Sequence, residues 1–238
     1  MTVSETRRGD TARAIRIGLL VPSSNTVMEN DLHKGLPKER YTVHTARMYL
    51  EETTRAGEIE MIEEHAPKAA ADVGTAGLDL LVFGCTSGGS LFGLDYDRKV
   101  CRDLGILARC PTLGTISAVN EALDARGFKR LAVITPYIDD LTEAVARAAE
   151  NNGRKVVAAH GMGIDVNVEL ATPGPAEIVA FATDRLRGME MDGVFVSCTN
   201  FRALDALAEL EAALGVRVVT SNSAVLEGIR KNSTELRA

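Results

Sequence analysis

The sequence predicts an α/β protein made of two similar lobes, each with a mostly parallel sheet and flanking helices, related by an internal duplication. Three observations carry that expectation. Short apolar runs alternate with stretches rich in Ala, Glu, Leu and Arg, the alternation that builds parallel sheets through helical crossovers. The phrase Leu78-Asp79-Leu80-Leu81-Val82-Phe83-Gly84-Cys85-Thr86 returns as Met191-Asp192-Gly193-Val194-Phe195-Val196-Ser197-Cys198-Thr199. Two further phrases repeat at nearly the same spacing. Ile17-Gly18-Leu19-Leu20-Val21-Pro22 matches Leu131-Ala132-Val133-Ile134-Thr135-Pro136, and Ile116-Ser117-Ala118-Val119-Asn120-Glu121 matches Asn222-Ser223-Ala224-Val225-Leu226-Glu227. Self-similarity at this scale marks a duplicated α/β unit rather than a short-period solenoid.

Strands are expected at 15–21, 78–83, 131–134, 156–159, 194–196 and 216–219, with a weaker one at 42–48. These runs are continuous rather than alternating, as suits strands covered on both faces. Helices are expected at 58–76, 116–125, 141–152, 175–188 and 204–214. Gly127, Gly153 and Gly215 follow helical patterns and precede strands, where a C-terminal cap belongs. The organisation read from this is a flexible arm at 1–14, a first lobe at 15–114 and a second at 115–215. Residues 216–238 repeat the chain from 112 onward and could pack on either lobe. No Gly, Ser or Pro linker separates the halves, so two closely packed lobes around a central cleft are expected.

Bulk properties remove several classes of function. With 238 residues, 45% hydrophobic content and a mean hydropathy of +0.01, the chain can bury a full core. No apolar stretch approaches the roughly 20 residues of a bilayer span, and the polar start lacks a secretory apolar segment. A cytoplasmic protein without a membrane role is expected. A net charge of −6 with no basic cluster argues against nucleic acid as partner. Cys85, Cys101, Cys110 and Cys198 fit reduced thiols in a long cytosolic chain. No Cys-x-x-Cys or His-x-x-x-His spacing supports a zinc site, and no glycine-rich phosphate motif follows the first strand. No zinc site and no bound nucleotide are expected.

The chemistry-bearing residues cluster at strand ends. Cys85 and Cys198 each close a buried-strand pattern, so each thiol should emerge at a carboxyl end, where open α/β sheets bind ligands. Thr86-Ser87-Gly88-Gly89 and Thr199-Asn200 follow them; such segments leave main-chain N–H groups free to hold an anion and favour a thiolate. Two core cysteines are the plainer reading, since free Cys is among the most buried residues; the duplicated Cys-Thr context weighs against it. Cys101 and Cys110 lack that context and read as structural. Ser24, Asn25 and Thr26 end the first strand; Asn25 or Thr26 could equally cap the next helix. Tyr137, on a turn after the repeat of that strand, could point its hydroxyl into the cleft or pack between lobes. Asn167 lies in a loop of the second half.

Taken together, Val21-Pro22-Ser23-Ser24-Asn25-Thr26-Val27-Met28-Glu29, Gly84-Cys85-Thr86-Ser87-Gly88, Thr135-Pro136-Tyr137 and Val196-Ser197-Cys198-Thr199-Asn200 resemble the maleate cis-trans isomerase family of the aspartate/glutamate racemase superfamily. The ectoine-utilization branch is the most similar around Cys85 and Cys198. The resemblance implies two Rossmann-like lobes with pseudo-twofold symmetry and a small mono- or dicarboxylate between them. It implies a cofactor-independent isomerase in which Cys85 attacks the alkene and Cys198 moves a proton. Asn25, Tyr137 and Asn167 match its carboxylate-binding positions, with Ser24, Thr86, Ser87, Thr199 and Asn200 as further substrate contacts. A homodimer or higher homo-oligomer is also implied. The polar segment after Cys85 is nearer to amino-acid racemases, so racemisation or epimerisation of an acidic amino acid or an ectoine-derived compound is the alternative. A carboxylate-binding protein without turnover is a third reading. Related arylmalonate decarboxylases keep a cysteine only in the second half, so Cys85 argues against their chemistry.

Overall fold

A computed structural model describes residues 13–235, so most of the arm expected at 1–14 lies outside the described residues. The first half runs β1 (Ile15–Pro22), α1 (Met28–Gly35), β2 (Tyr41–Met48), α2 (Arg55–Glu60), a π-helical turn (Met61–His65), α3 (Ala66–Gly74), β3 (Leu80–Phe83), α4 (Thr86–Ser90), α5 (Leu94–Ala108) and β4 (Thr112–Gly114). The second runs α6 (Thr115–Ala125), β5 (Arg130–Tyr137), α7 (Asp139–Ala149), β6 (Lys155–Ile164), a 3-10 turn (Asn167–Ala171), α8 (Pro175–Leu186), β7 (Gly193–Val196), α9 (Leu207–Leu214), β8 (Arg217–Thr220) and α10 (Ser221–Glu235).

Two four-stranded sheets result, in the orders β2-β1-β3-β4 and β6-β5-β7-β8, and every named strand pairing is parallel. The shared order is the structural form of the duplication. Each sheet is doubly wound: from its second strand in spatial order (β1 or β5) the chain goes first to one side and then to the other. The reversal leaves a crevice at the carboxyl ends of β1 and β3, and of β5 and β7, which is where such sheets bind ligands.

The central strands have almost no exposed surface. Ile17, Leu19, Leu20, Val82, Phe83, Val133, Ile134, Phe195 and Val196 are all fully buried. Each such side chain contributes roughly 1.5–3 kcal/mol by leaving water. Gly84 follows β3 because a side chain there would collide: a Cβ would sit 2.7 Å from the Leu20 carbonyl oxygen and 2.8 Å from Met28 Sδ. Gly215, at φ 70°, caps α9 as its position before β8 requires.

Several elements differ from their expected extents. The first long helix starts at Arg55 because Thr54 Oγ1 accepts the Gly57 N–H at 3.2 Å, and a π turn interrupts it. The helix expected from 204 begins at Leu207, since the residues after Cys198 fold as turns. β6 runs on to Ile164 through register shifts against β5. α1 and α5 were not expected: both are rich in charge, and α5 buries only Asp97, Val100, Cys101, Leu104 and Ala108. At the end of the chain, β8 pairs with β7, whereas α10 packs on α6 and α1. The halves are stitched by residues 51–53 running antiparallel to 165–167. Thr53 N donates to the Asp165 carbonyl at 2.6 Å, and Asn167 N donates to the Glu51 carbonyl at 3.0 Å.

Candidate active site

β3 and β7 deliver Cys85 and Cys198 to one buried seam between the lobes. The thiols are 3% and 4% exposed, and each lies within electrostatic reach of the Tyr137 hydroxyl. Tyr137 is the last residue of β5 rather than part of a turn, and is itself 1% exposed. The crevice geometry accounts for the convergence: Asn25 and Cys85 follow the switch strands of the first sheet, Tyr137 and Cys198 those of the second.

Each sulfur is met by a main-chain N–H. Asn200 N donates to Cys198 Sγ at 3.2 Å, and the Gly88 N–H favours the Cys85 thiolate. Cys85 stands at the N-terminus of α4, with its sulfur 3.8 Å from Ser87 Oγ. Cys198 has no helix directly behind it; it is held in a turn at φ 96°, a conformation L residues rarely adopt.

The polar residues around the thiols form one network across the lobes. Asn25 Nδ2 donates to Thr199 Oγ1 at 3.0 Å, and Thr199 Oγ1 donates in turn to the Gly84 carbonyl at 3.0 Å. Asn25 Oδ1 accepts the N–H groups of Val27 and Met28 at 3.1 and 3.0 Å, so Asn25 caps the start of α1 and faces the second lobe at once. Asn167 Nδ2 donates to Ser24 Oγ at 2.7 Å, and Asn167 Oδ1 accepts from Thr53 Oγ1 at 2.9 Å. Asn200 Nδ2 donates to the Asn167 carbonyl at 2.6 Å while its Oδ1 accepts the Thr26 N–H at 2.8 Å. All ten residues singled out from the sequence therefore gather at this seam. Cys85, Cys198, Tyr137, Asn25, Thr86, Ser87 and Thr199 sit at its centre, and Ser24, Asn167 and Asn200 form a rim tied to residue 53.

Two residues escaped sequence reasoning. Ser221, the first residue of α10, accepts from Thr86 Oγ1 at 2.9 Å and from Cys198 N at 3.1 Å, so one hydroxyl joins both cysteine turns. The repeat held a signal for it: Ser221 occupies the place of Thr115, whose hydroxyl donates to the Phe83 carbonyl at 2.7 Å. Glu58, in α2, is fully buried beside Cys85, and Ser87 Oγ donates to its Oε1. Nothing in its local sequence sets it apart from a solvated helix glutamate.

The thiols are not poised as the sequence suggested. Burial pushes Cys198 up to about 12 and Cys85 well above its usual value, and Glu58 adds to both shifts. Tyr137 and the Asn200 N–H pull Cys198 part of the way back down. Glu58 is itself raised to about 8 by burial, against the opposing pull of Ser87. Acidic groups crowded together without a cation oppose one another's ionisation, so at neutral pH the seam holds its protons.

A groove of about 930 Å³ lies elsewhere, beside α5 and α6, and is lined by Cys101 and Cys110 rather than by the paired thiols. Among the described residues no cluster of three or more His, Cys, Asp or Glu could hold a metal ion, and no helix is long and apolar enough to cross a membrane.

Fold and site together define a two-lobed α/β protein with a cysteine from each lobe buried at a shared seam. The chain belongs to the arylmalonate decarboxylase family, whose profile matches residues 17–237. It is 29% identical over 221 residues to the maleate isomerase of Pseudomonas putida, covering 87% of this chain and 86% of that one. It is 26% identical to the maleate isomerase of Geobacillus stearothermophilus over 93% of this chain and 92% of that one. In three dimensions it superposes on the crystal structure of the maleate isomerase Iso from Pseudomonas putida S16 with a TM-score of 0.85, at 24% identity and 92% coverage of both chains.

Proposed function

We propose that this protein is a cofactor-independent cis-trans isomerase of a small carboxylate, with maleate to fumarate as its reaction. The observation that carries the reading is the pair of thiols, one from each lobe, sharing a buried seam with the Tyr137 hydroxyl. Curated relatives matched over nearly the whole chain are maleate isomerases.

Cys85 acts as the nucleophile. Its sulfur adds to one alkene carbon, the double bond opens, and the electron pair moves toward the carboxylate on the neighbouring carbon. Cys198 delivers its proton to that carbon, leaving a succinyl thioether whose central bond is single and free to rotate. After rotation the Cys198 thiolate takes the proton back, the carbon–sulfur bond breaks, and fumarate leaves. One hard step becomes two easier ones. Negative charge builds beside a carboxylate, where the Tyr137 hydroxyl, the Asn25 amide and the N–H groups after each cysteine can stabilise it. The polar neighbours Ser24, Thr86, Ser87, Asn167, Thr199 and Asn200 hold those donors in place and complete the carboxylate site. The reading includes a cytoplasmic location, supported by four free thiols that suit a reducing compartment.

Racemisation is the second reading, favoured by the hydroxyls of Thr86 and Ser87 directly behind Cys85, where two thiols could exchange a Cα proton on opposite faces. Incubation with maleate, and separately with single enantiomers of aspartate, followed by proton NMR in deuterated water, separates the two. Fumarate from maleate establishes the isomerase. Deuterium at Cα without fumarate replaces it with the racemase, and bound but unchanged ligand rejects both.

A further inference from the structure

The cysteine chemistry leaves Glu58 without a task and the Cys85 proton without a destination. Glu58 is 0% exposed, and among the described residues no cation pairs with it. Ser87 Oγ donates to its Oε1, while its Oε2 has no hydrogen-bond partner. A side chain at Gly88 would lie 3.2 Å from Cys85 Sγ and 3.4 Å from Glu58 Oε2, so the sulfur and the free carboxylate oxygen flank the same glycine. Burying an unpaired carboxyl disfavours folding, so its presence beside the sulfur calls for a use. The hydrogen bonds have a direction: the Ser87 proton points to Glu58, which leaves Ser87 Oγ, 3.8 Å from Cys85 Sγ, free to accept.

We propose that Glu58 is the proton acceptor for the Cys85 thiol, with the Ser87 hydroxyl carrying the proton between them. As the Cys85 S–H bond breaks, its proton joins Ser87 Oγ, and the former Ser87 proton joins Glu58 Oε1. One S–H and one O–H bond are lost, two O–H bonds form, and the negative charge moves from the carboxylate to the sulfur that attacks. Once Glu58 is ionised, the site carries one negative charge before and after the transfer, which is the arrangement that crowded acidic groups permit. The titratable groups facing Glu58 are Cys85, Cys198, Tyr137 and Tyr96. Arg55, one turn earlier on α2, is engaged instead with Asp140 and the Leu91 carbonyl. Glu58 acts through Ser87 and is a positioning residue in this scheme.

The inference rests on Cys85 being the nucleophile, and its test needs no substrate. The full chain and its Glu58→Gln and Ser87→Ala variants are treated with iodoacetamide across a pH series, and alkylation of Cys85 is followed by peptide mass spectrometry. In the unaltered protein the rate should climb through about pH 8, where Glu58 gives up its proton. Both variants should be at least about tenfold slower at that pH, a modest share of what general bases supply. The deficit should shrink as the pH is raised further, where hydroxide takes the thiol proton without the relay. Equal rates at pH 8, or a deficit of the same size at every pH, would overturn the relay, the second by showing that only packing was disturbed. Should Glu58→Gln fail to fold by circular dichroism, Ser87→Ala decides. A failed relay leaves maleate turnover intact, whereas absent turnover leaves the alkylation profile readable, so the two proposals fail separately.

Discussion

Thr199 donates its hydroxyl to the carbonyl oxygen of Gly84 at 3.0 Å, so the residue after Cys198 is tied to the residue before Cys85. The same Thr199 hydroxyl accepts from Asn25 Nδ2 at 3.0 Å, which places three strand ends under one hydroxyl. Replacing Thr199 by Val keeps the shape and removes both bonds, leaving buried polar groups without partners. A loss of about 1–3 kcal/mol is expected from such orphaned groups. Thr199→Ser, which keeps the hydroxyl, should stay close to the unaltered protein. Urea midpoints of the two variants measure this directly, and indistinguishable midpoints would show that the bond contributes nothing to joining the lobes.

Cys198 holds a φ of 96°, and strained backbone of this kind costs on the order of 1–3 kcal/mol unless glycine is present. The strain turns the sulfur toward Tyr137 and the Asn200 N–H. Comparing Cys198→Gly with Cys198→Ala isolates it, because both remove the thiol and only one keeps a Cβ. Glycine normally destabilises by roughly 0.5–1 kcal/mol relative to alanine. Here the order should reverse, with the glycine variant the more heat-stable and both inactive toward maleate. A glycine variant that melts below the alanine variant would mean that the turn is relaxed.

The two sheets were legible because their strands are buried on both faces and so read as unbroken apolar runs ending in small polar residues. The cysteine pair was legible for the same reason, doubled by the repeat. α5 was not, since its buried positions include Asp97 and Cys101 among many charges, and the apolar signal is diluted. Asn25 shows how two weighed readings can both hold: it caps α1 through Oδ1 and reaches Thr199 through Nδ2. The thiol environment was not legible, because the helix N-terminus that favours a thiolate can be read from sequence and the burial that outweighs it comes only with the closed lobes. Glu58 was invisible for a related reason. Its burial arises only when α4 and the second lobe close over α2, and no local pattern encodes that.

That burial has a measurable pH signature. Glu58 has an ordinary carboxyl value of 4.5 in the unfolded chain and about 8 in the folded protein. Below pH 4.5 both states keep the proton and the group favours neither. Between pH 4.5 and 8 the unfolded chain releases the proton while the folded protein retains it, so stability falls as pH rises through this window. Glu58→Gln cannot ionise and should lack that slope. The variant and the unaltered protein should therefore be of similar stability near pH 5, and by about pH 8 the variant should be ahead by at least about 1 kcal/mol, the equivalent of less than one unit of displacement. Urea unfolding at the two pH values gives the comparison, and stopping at pH 8 keeps the raised thiols from adding to it. Parallel stability curves would mean that Glu58 is solvated or paired in the folded protein, and the relay to Cys85 would lose its acceptor.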